Sequence, residues 1–245
     1  MVEFDHFKNA SWCNGSTRVF GSLSLGSSPS EASKYINMIL CEENNLCFVH
    51  IPKTAGSTVT AVLKNYTKRI QKPTDNEWHI GWMHYTYKES IEVLKSNNEE
   101  DLLKMVESVD FFTIVRHPLD RFISLFCRLH QLQGLNLDRS DIDNFFEYKF
   151  NDTVNHYLMN KLQLEYIIGI KESKIKICKF ENLNEELNQV FVSHNINVDI
   201  PKENQGDPNI INYFKENIDL ERLENLIFEI YYPDYKMFNY SKKML

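Results

Sequence analysis

The chain has 245 residues, 42% hydrophobic and 25% charged, which is enough for one sizeable α/β domain. Its formal net charge of -7 argues against an obligate nucleic-acid or anionic-membrane binder, and no apolar run approaches the ~18 residues of a membrane span. The five cysteines, Cys13, Cys41, Cys47, Cys127 and Cys178, lack metal or redox spacing and read as reduced, buried thiols of a cytoplasmic protein, although a soluble portion of a membrane-anchored Golgi-type enzyme would read the same way.

In chain order, residues 1–40 are expected to form a peripheral segment with a Ser/Gly-rich loop at 21–33, and residues 41–245 an α/β domain. A strand is expected at 46–51. The run FVHIPKTAGSTVTAVL, 48–63, leads from it through a small-residue loop into a helix whose apolar stripe is Val59, Val62, Leu63 and Tyr66. A second strand at 111–115 leads into a helix at 119–130, striped by Leu119, Phe122, Ile123 and Phe126. A third strand is expected at 175–180, and a helix at about 219–231 carries Leu220, Leu223, Leu226, Ile227 and Ile230 toward the core. Strands alternating with helices predict a single domain with a mostly parallel central sheet flanked by helices.

The first loop has the makings of an anion site. A strand, a short loop and a helix start gather unpaired N–H groups, and the helix dipole adds positive potential. Gly56 would let the backbone approach a ligand, Ser57 and Thr58 would add hydroxyls, and Lys53 a mobile charge. A plain turn capped by Ser57, with Lys53 in solvent, accounts for the same stretch equally well. The polyphosphate pattern G-x-x-x-x-G-K-[ST] is absent. The second stretch, FFTIVRHPLDRFISLF at 111–126, puts Arg116 at a strand's carboxyl end, where open α/β sheets bind ligands, and Ser124 on the following helix. Together they could grip a phosphate; singly, a salt bridge and a packed polar residue explain them.

The two stretches together resemble the sulfotransferase family, and most closely its carbohydrate-sulfating branch. HIPKTAGST is similar to that family's 5′-phosphosulfate loop and VRHPLDRFISLF to its 3′-phosphate motif. KIKICKFENL, 174–183, and YYPDYKMFNY, 231–240, resemble its late strand and its C-terminal ending more weakly. The resemblance implies 3′-phosphoadenosine 5′-phosphosulfate (PAPS) as donor and adenosine 3′,5′-bisphosphate (PAP) as product, with no metal. It implies that Lys53, Thr54, Ala55, Gly56, Ser57 and Thr58 hold the phosphosulfate, and that Arg116 and Ser124 hold the 3′-phosphate. Lys53 would also be catalytic, neutralising the departing oxygen.

A hydroxyl acceptor needs a base. The aromatic-rich stretch EWHIGWMHYTY, 77–87, lies between the two motifs, and His84 fits the family's placement better than His79; Glu77 or Glu89 is the carboxylate alternative. Of the other histidines, His50 and His117 sit within the motifs and read as structural, and His130, His156 and His194 fall in helical patterns. The resemblance implies a hydroxyl-bearing acceptor, a glycan or small hydroxylated metabolite. Lys64, Lys68, Arg69 and Lys72, or Lys171, Lys174, Lys176 and Lys179, could meet an anionic one, though such clusters are usually just solvated. The rival functions are a kinase-like phosphotransferase and a non-catalytic nucleotide-binding protein of the same fold.

Overall fold

The computed structural model describes residues 38–67, 85–132, 142–154, 156–200 and 208–243. Among them, four strands form one sheet in the order β1-β2-β3-β4. Strand β1 (Met38–Cys41) turns through a 3-10 turn into β2 (Leu46–Val49), its antiparallel neighbour. Asn45 closes that turn at φ 52°, a left-handed conformation that Asn tolerates better than most residues. Strands β3 (Asp110–Val115) and β4 (Ile175–Lys179) continue the sheet in parallel, with Leu46 opposite Asp110 and Phe111 opposite Ile175. The mostly parallel sheet expected from the alternation of elements is thus present. Strand β1 was not expected: MILC is too short for periodicity to mark it.

Helices α1 (Gly56–Leu63), α2 (Tyr87–Ser96) and α3 (Glu100–Ser108) lie between β2 and β3. Between β3 and β4 come α4 (Pro118–Leu132), α5 (Phe150–Val154) and α6 (Tyr157–Asn160). The chain then runs through α7 (Leu183–Ser193), α8 (Pro208–Asn217), α9 (Leu220–Ile230) and α10 (Tyr232–Met237).

Strands β2 and β3 are apolar almost throughout because both faces of the sheet are covered. Alternate residues serve opposite faces. On one face Cys47, Val49, Phe111 and Val115 pack with Leu94 of α2 and Leu102 and Val106 of α3. On the other, Leu46, Phe48, Phe112 and Ile114 meet Val59, Val62 and Leu63 of α1 and Leu187, Val190 and Phe191 of α7. A third cluster joins Leu119, Phe122, Ile123 and Phe126 of α4 to Phe145, Phe214, Leu223 and Ile227. The stripes expected on α1 and α4 are therefore core-facing. Ile230, expected in the core with Leu223 and Ile227, is 37% exposed, because it ends α9 where the chain turns into α10.

Cys41, Cys47, Cys127 and Cys178 are free and buried. Burial pushes the thiols of Cys41, Cys127 and Cys178 up to about 12, which keeps them protonated and unreactive at neutral pH. Cys13 lies outside the described residues. Among those residues, no helix is long and apolar enough to cross a membrane.

Candidate active site

Parallel neighbours end at the same edge of a sheet, so the segments leaving β2 and β3 meet. Leaving β2, the chain turns at 51–55 into α1. Lys53 has φ 69° and Ala55 φ 70°, both left-handed. Each such residue with a Cβ costs about 1–2 kcal/mol, so the turn needs to be held. Three side chains hold it, at three successive carbonyls. Thr54 Oγ1 donates to the Ile51 carbonyl (2.8 Å), Arg121 Nε to that of Pro52 (3.2 Å) and Arg116 Nη1 to that of Lys53 (3.3 Å).

Ala55 occupies the N-cap position of α1, and no side chain caps the helix. Ser57, one alternative for the cap, instead sits inside the helix and is exposed. The first N–H groups of α1 have no acceptor one turn earlier, and its first turn carries no acidic residue, so this helix start is left open to an anion. Thr54 and Thr58 are buried, and the Thr54 hydroxyl is committed to the loop itself. The missing Cβ of Gly56 serves a neighbour rather than a ligand: a Cβ there would lie 1.9 Å from Nε2 of His50. That imidazole stacks on Phe48, with centroids 5.9 Å apart. Burial, then the charge of Lys53, lowers its pKa to about 4, so it packs as a neutral ring.

Leaving β3, Arg116 is held by the side-chain amide of Gln163. Its N–H donates to Gln163 Oε1 and its carbonyl accepts from Gln163 Nε2, both at 2.8 Å. Gln163 is fully buried, and its own N–H donates to Asp234 Oδ2 at 2.8 Å, while Leu164 N–H donates to Oδ1 at 3.0 Å. The stretches 174–183 and 231–240 close around the same corner. Glu181 accepts from the N–H of His117 (2.9 Å) and from the Tyr240 hydroxyl (2.8 Å). The Arg116 guanidinium lies 4.3 Å from the Phe180 ring centroid, and its Nε is buried without a partner. Ser124 is buried in the second turn of α4, and Arg128, one turn later, is exposed.

The electrostatics favour an anion. Burial lowers the Lys53 pKa, and the charges of Arg128 and Arg116 lower it further. Burial likewise lowers that of Arg116, against the nearby charges of Asp120 and Glu181. Among the described residues, no carboxylate forms an ion pair with Lys53, Arg116 or Arg128. Mutually repelling cations beside an unpartnered Nε and an uncapped helix start fit a ligand with more than one negative charge. No group of three or more His, Cys, Asp or Glu side chains is gathered as a metal would need, among the described residues.

The structure therefore brings Lys53, the Thr54–Thr58 turn and Arg116 together. His84, His79 and Glu77 lie outside the described residues. Glu89 starts α2 in a capping box with Thr86, and both its oxygens lie 2.7 Å from Lys161 Nζ. Burial would raise its pKa, but the hydrogen bonds from Lys161 and Thr86 outweigh it and hold the carboxyl below its usual value, which makes Glu89 a poor proton acceptor. His156 caps the start of α6 and His194 follows α7. Sequence reading missed Arg121, Gln163, Asp234 and Arg128. Arg121 left one signal, a charged residue beside the apolar stripe of α4; Gln163 left none.

The sulfotransferase family model matches residues 37–241. Among solved structures, a sulfotransferase from Alicyclobacillus acidocaldarius is similar at 11% identity over 86% of this chain and 91% of that chain, with a TM-score of 0.37. No curated protein sequence matches the chain.

Proposed function

Because the chain belongs to the sulfotransferase family, we propose that it transfers a sulfuryl group from PAPS to a hydroxyl of a carbohydrate or small-molecule acceptor by in-line displacement. The observation that supports this reading is the hydrogen bond of Arg116 to the Lys53 carbonyl, which puts the two expected anion corners side by side. A donor charged at both ends, 3′-phosphate and 5′-phosphosulfate, suits two such corners. When bound, it supplies the sulfuryl group and departs as PAP.

The turn from Lys53 through Thr54, Ala55 and Gly56 to Ser57 and Thr58 presents its N–H groups to the phosphosulfate. Arg116 and Ser124 take the 3′-phosphate. The Lys53 ammonium stabilises the charge that builds on the bridging oxygen, where positioning and electrostatics carry most of the rate. His84 removes the acceptor's proton, a role that rests on the family resemblance alone. The catalytic unit expected at 41–245 also takes in the whole of β1, because Met38, Ile39 and Leu40 pair with β2.

PAP should raise the melting temperature by several degrees more than ATP with magnesium does. The opposite ranking would favour a phosphotransferase. With labelled donor and an acceptor panel, Lys53→Ala should lower kcat by about 100-fold or more. His84→Ala should abolish transfer yet leave the PAP affinity unchanged; full activity would place the base elsewhere.

A further inference from the structure

Arg121 carries a role that the donor-site assignment does not use. It is 3% exposed, yet among the described residues no carboxylate forms an ion pair with it. Its Nε donates to the Pro52 carbonyl at 3.2 Å and its Nη1 to the Lys161 carbonyl at 3.2 Å, while Nη2 is buried without a partner. A buried guanidinium bonded only to carbonyls is weakly placed for stability, since the carboxylates of Asp234 and Glu165 act on its charge from a distance and none pairs with it. What it does provide is a fork that fixes two carbonyls at once.

One of those carbonyls precedes Lys53, at the start of the left-handed turn. The other belongs to Lys161, whose Nζ is bound by the Glu89 carboxylate at the start of α2. One guanidinium thus connects the turn of residues 51–55 to the beginning of α2, two elements that share no strand. We infer that Arg121 is a positioning residue: it sets the Pro52 peptide, and with it the direction in which Lys53 and the N–H groups of α1 face their anion. Arg116 braces the next carbonyl and faces the ligand as well; Arg121 braces only. The inference rests on the reading of this turn as the phosphosulfate site.

The test compares wild-type protein with Arg121→Lys and Arg121→Met in three measurements: amide hydrogen exchange at 59–63, the first bonded turn of α1, urea unfolding, and PAP affinity by calorimetry. Arg121→Lys keeps the charge and the stem but not the fork. Its exchange at 59–63, whose amides are the first hydrogen-bonded ones of α1, should quicken roughly tenfold while the amides of β2 and β3 stay as protected as in the wild type. Its PAP affinity should fall about tenfold. Arg121→Met should show the same local loosening, whatever its unfolding midpoint. Exchange at 59–63 unchanged in both variants, or faster everywhere in proportion to lost stability, would overturn the positioning role. Wild-type protein that binds no PAP would sink the donor reading instead, and the exchange measurement would still decide whether Arg121 holds the turn.

Discussion

His50 and Gly56 interlock, and that contact explains why the loop carries a glycine at position 56. The imidazole occupies the space a Cβ at position 56 would fill, and it does so uncharged. The titration has a definite sign. In the unfolded chain the ring takes up its proton near pH 6.5, and in the folded protein only near pH 4. Stability from this site is fully present above pH 6.5 and drains away as pH falls toward 4, at no more than about 1.4 kcal/mol per unit. Asp234 works the other way. Burial pushes its carboxyl up to about 6, so its contribution grows as pH falls below that value. The His50 effect is therefore read as a difference. In urea titrations, the stability gap between wild type and His50→Gln should narrow steadily from pH 6.5 to pH 4. A constant gap would mean that the folded protein protonates His50 as readily as the unfolded one.

At the scale of elements, the apolar stripes of α1, packed on the sheet, and α4, packed on other helices, were legible because a helix buried along one side must repeat its contacts every three or four residues. The end of α9 was not. Periodicity places Ile230 with Leu223 and Ile227, but it cannot say where the packing surface stops. Ile227→Ala should cost about 2–5 kcal/mol in urea unfolding, and Ile230→Gln no more than about 0.5 kcal/mol. A large loss from Ile230→Gln would mean that something covers this helix end in solution. Strand β1 escaped notice for a related reason: four residues that pair with β2 carry less pattern than their hydrogen bonds carry structure.

At the scale of the whole molecule, the corner at Arg116 is held from far along the chain. Asp234 holds Gln163, Gln163 holds the backbone of Arg116, and Ser241 lies 3.0 Å by its carbonyl from Nε2 of His117. This gives the C-terminal stretch a purpose: it locks the Arg116 corner, the proposed 3′-phosphate site, from behind. Asp234→Ala leaves two buried N–H groups without acceptors. It should cost about 1–3 kcal/mol in denaturant unfolding. It should also weaken PAP binding, although Asp234 is not among the residues assigned to the ligand. Retained affinity in a destabilised variant would show that Gln163 keeps its place unaided.

By itself, the sequence determined the alternation of strands and helices, the helix stripes that were to be buried, and the residue types that could grip anions, because periodicity and local chemistry are written in consecutive residues. Only the tertiary structure decided that Arg116 reaches the Lys53 carbonyl, that Gly56 makes room for His50 and that Arg121 turns inward. Those facts depend on which parallel strands are neighbours and on which carbonyls a side chain finds when it arrives. A chain read one residue at a time carries no record of either.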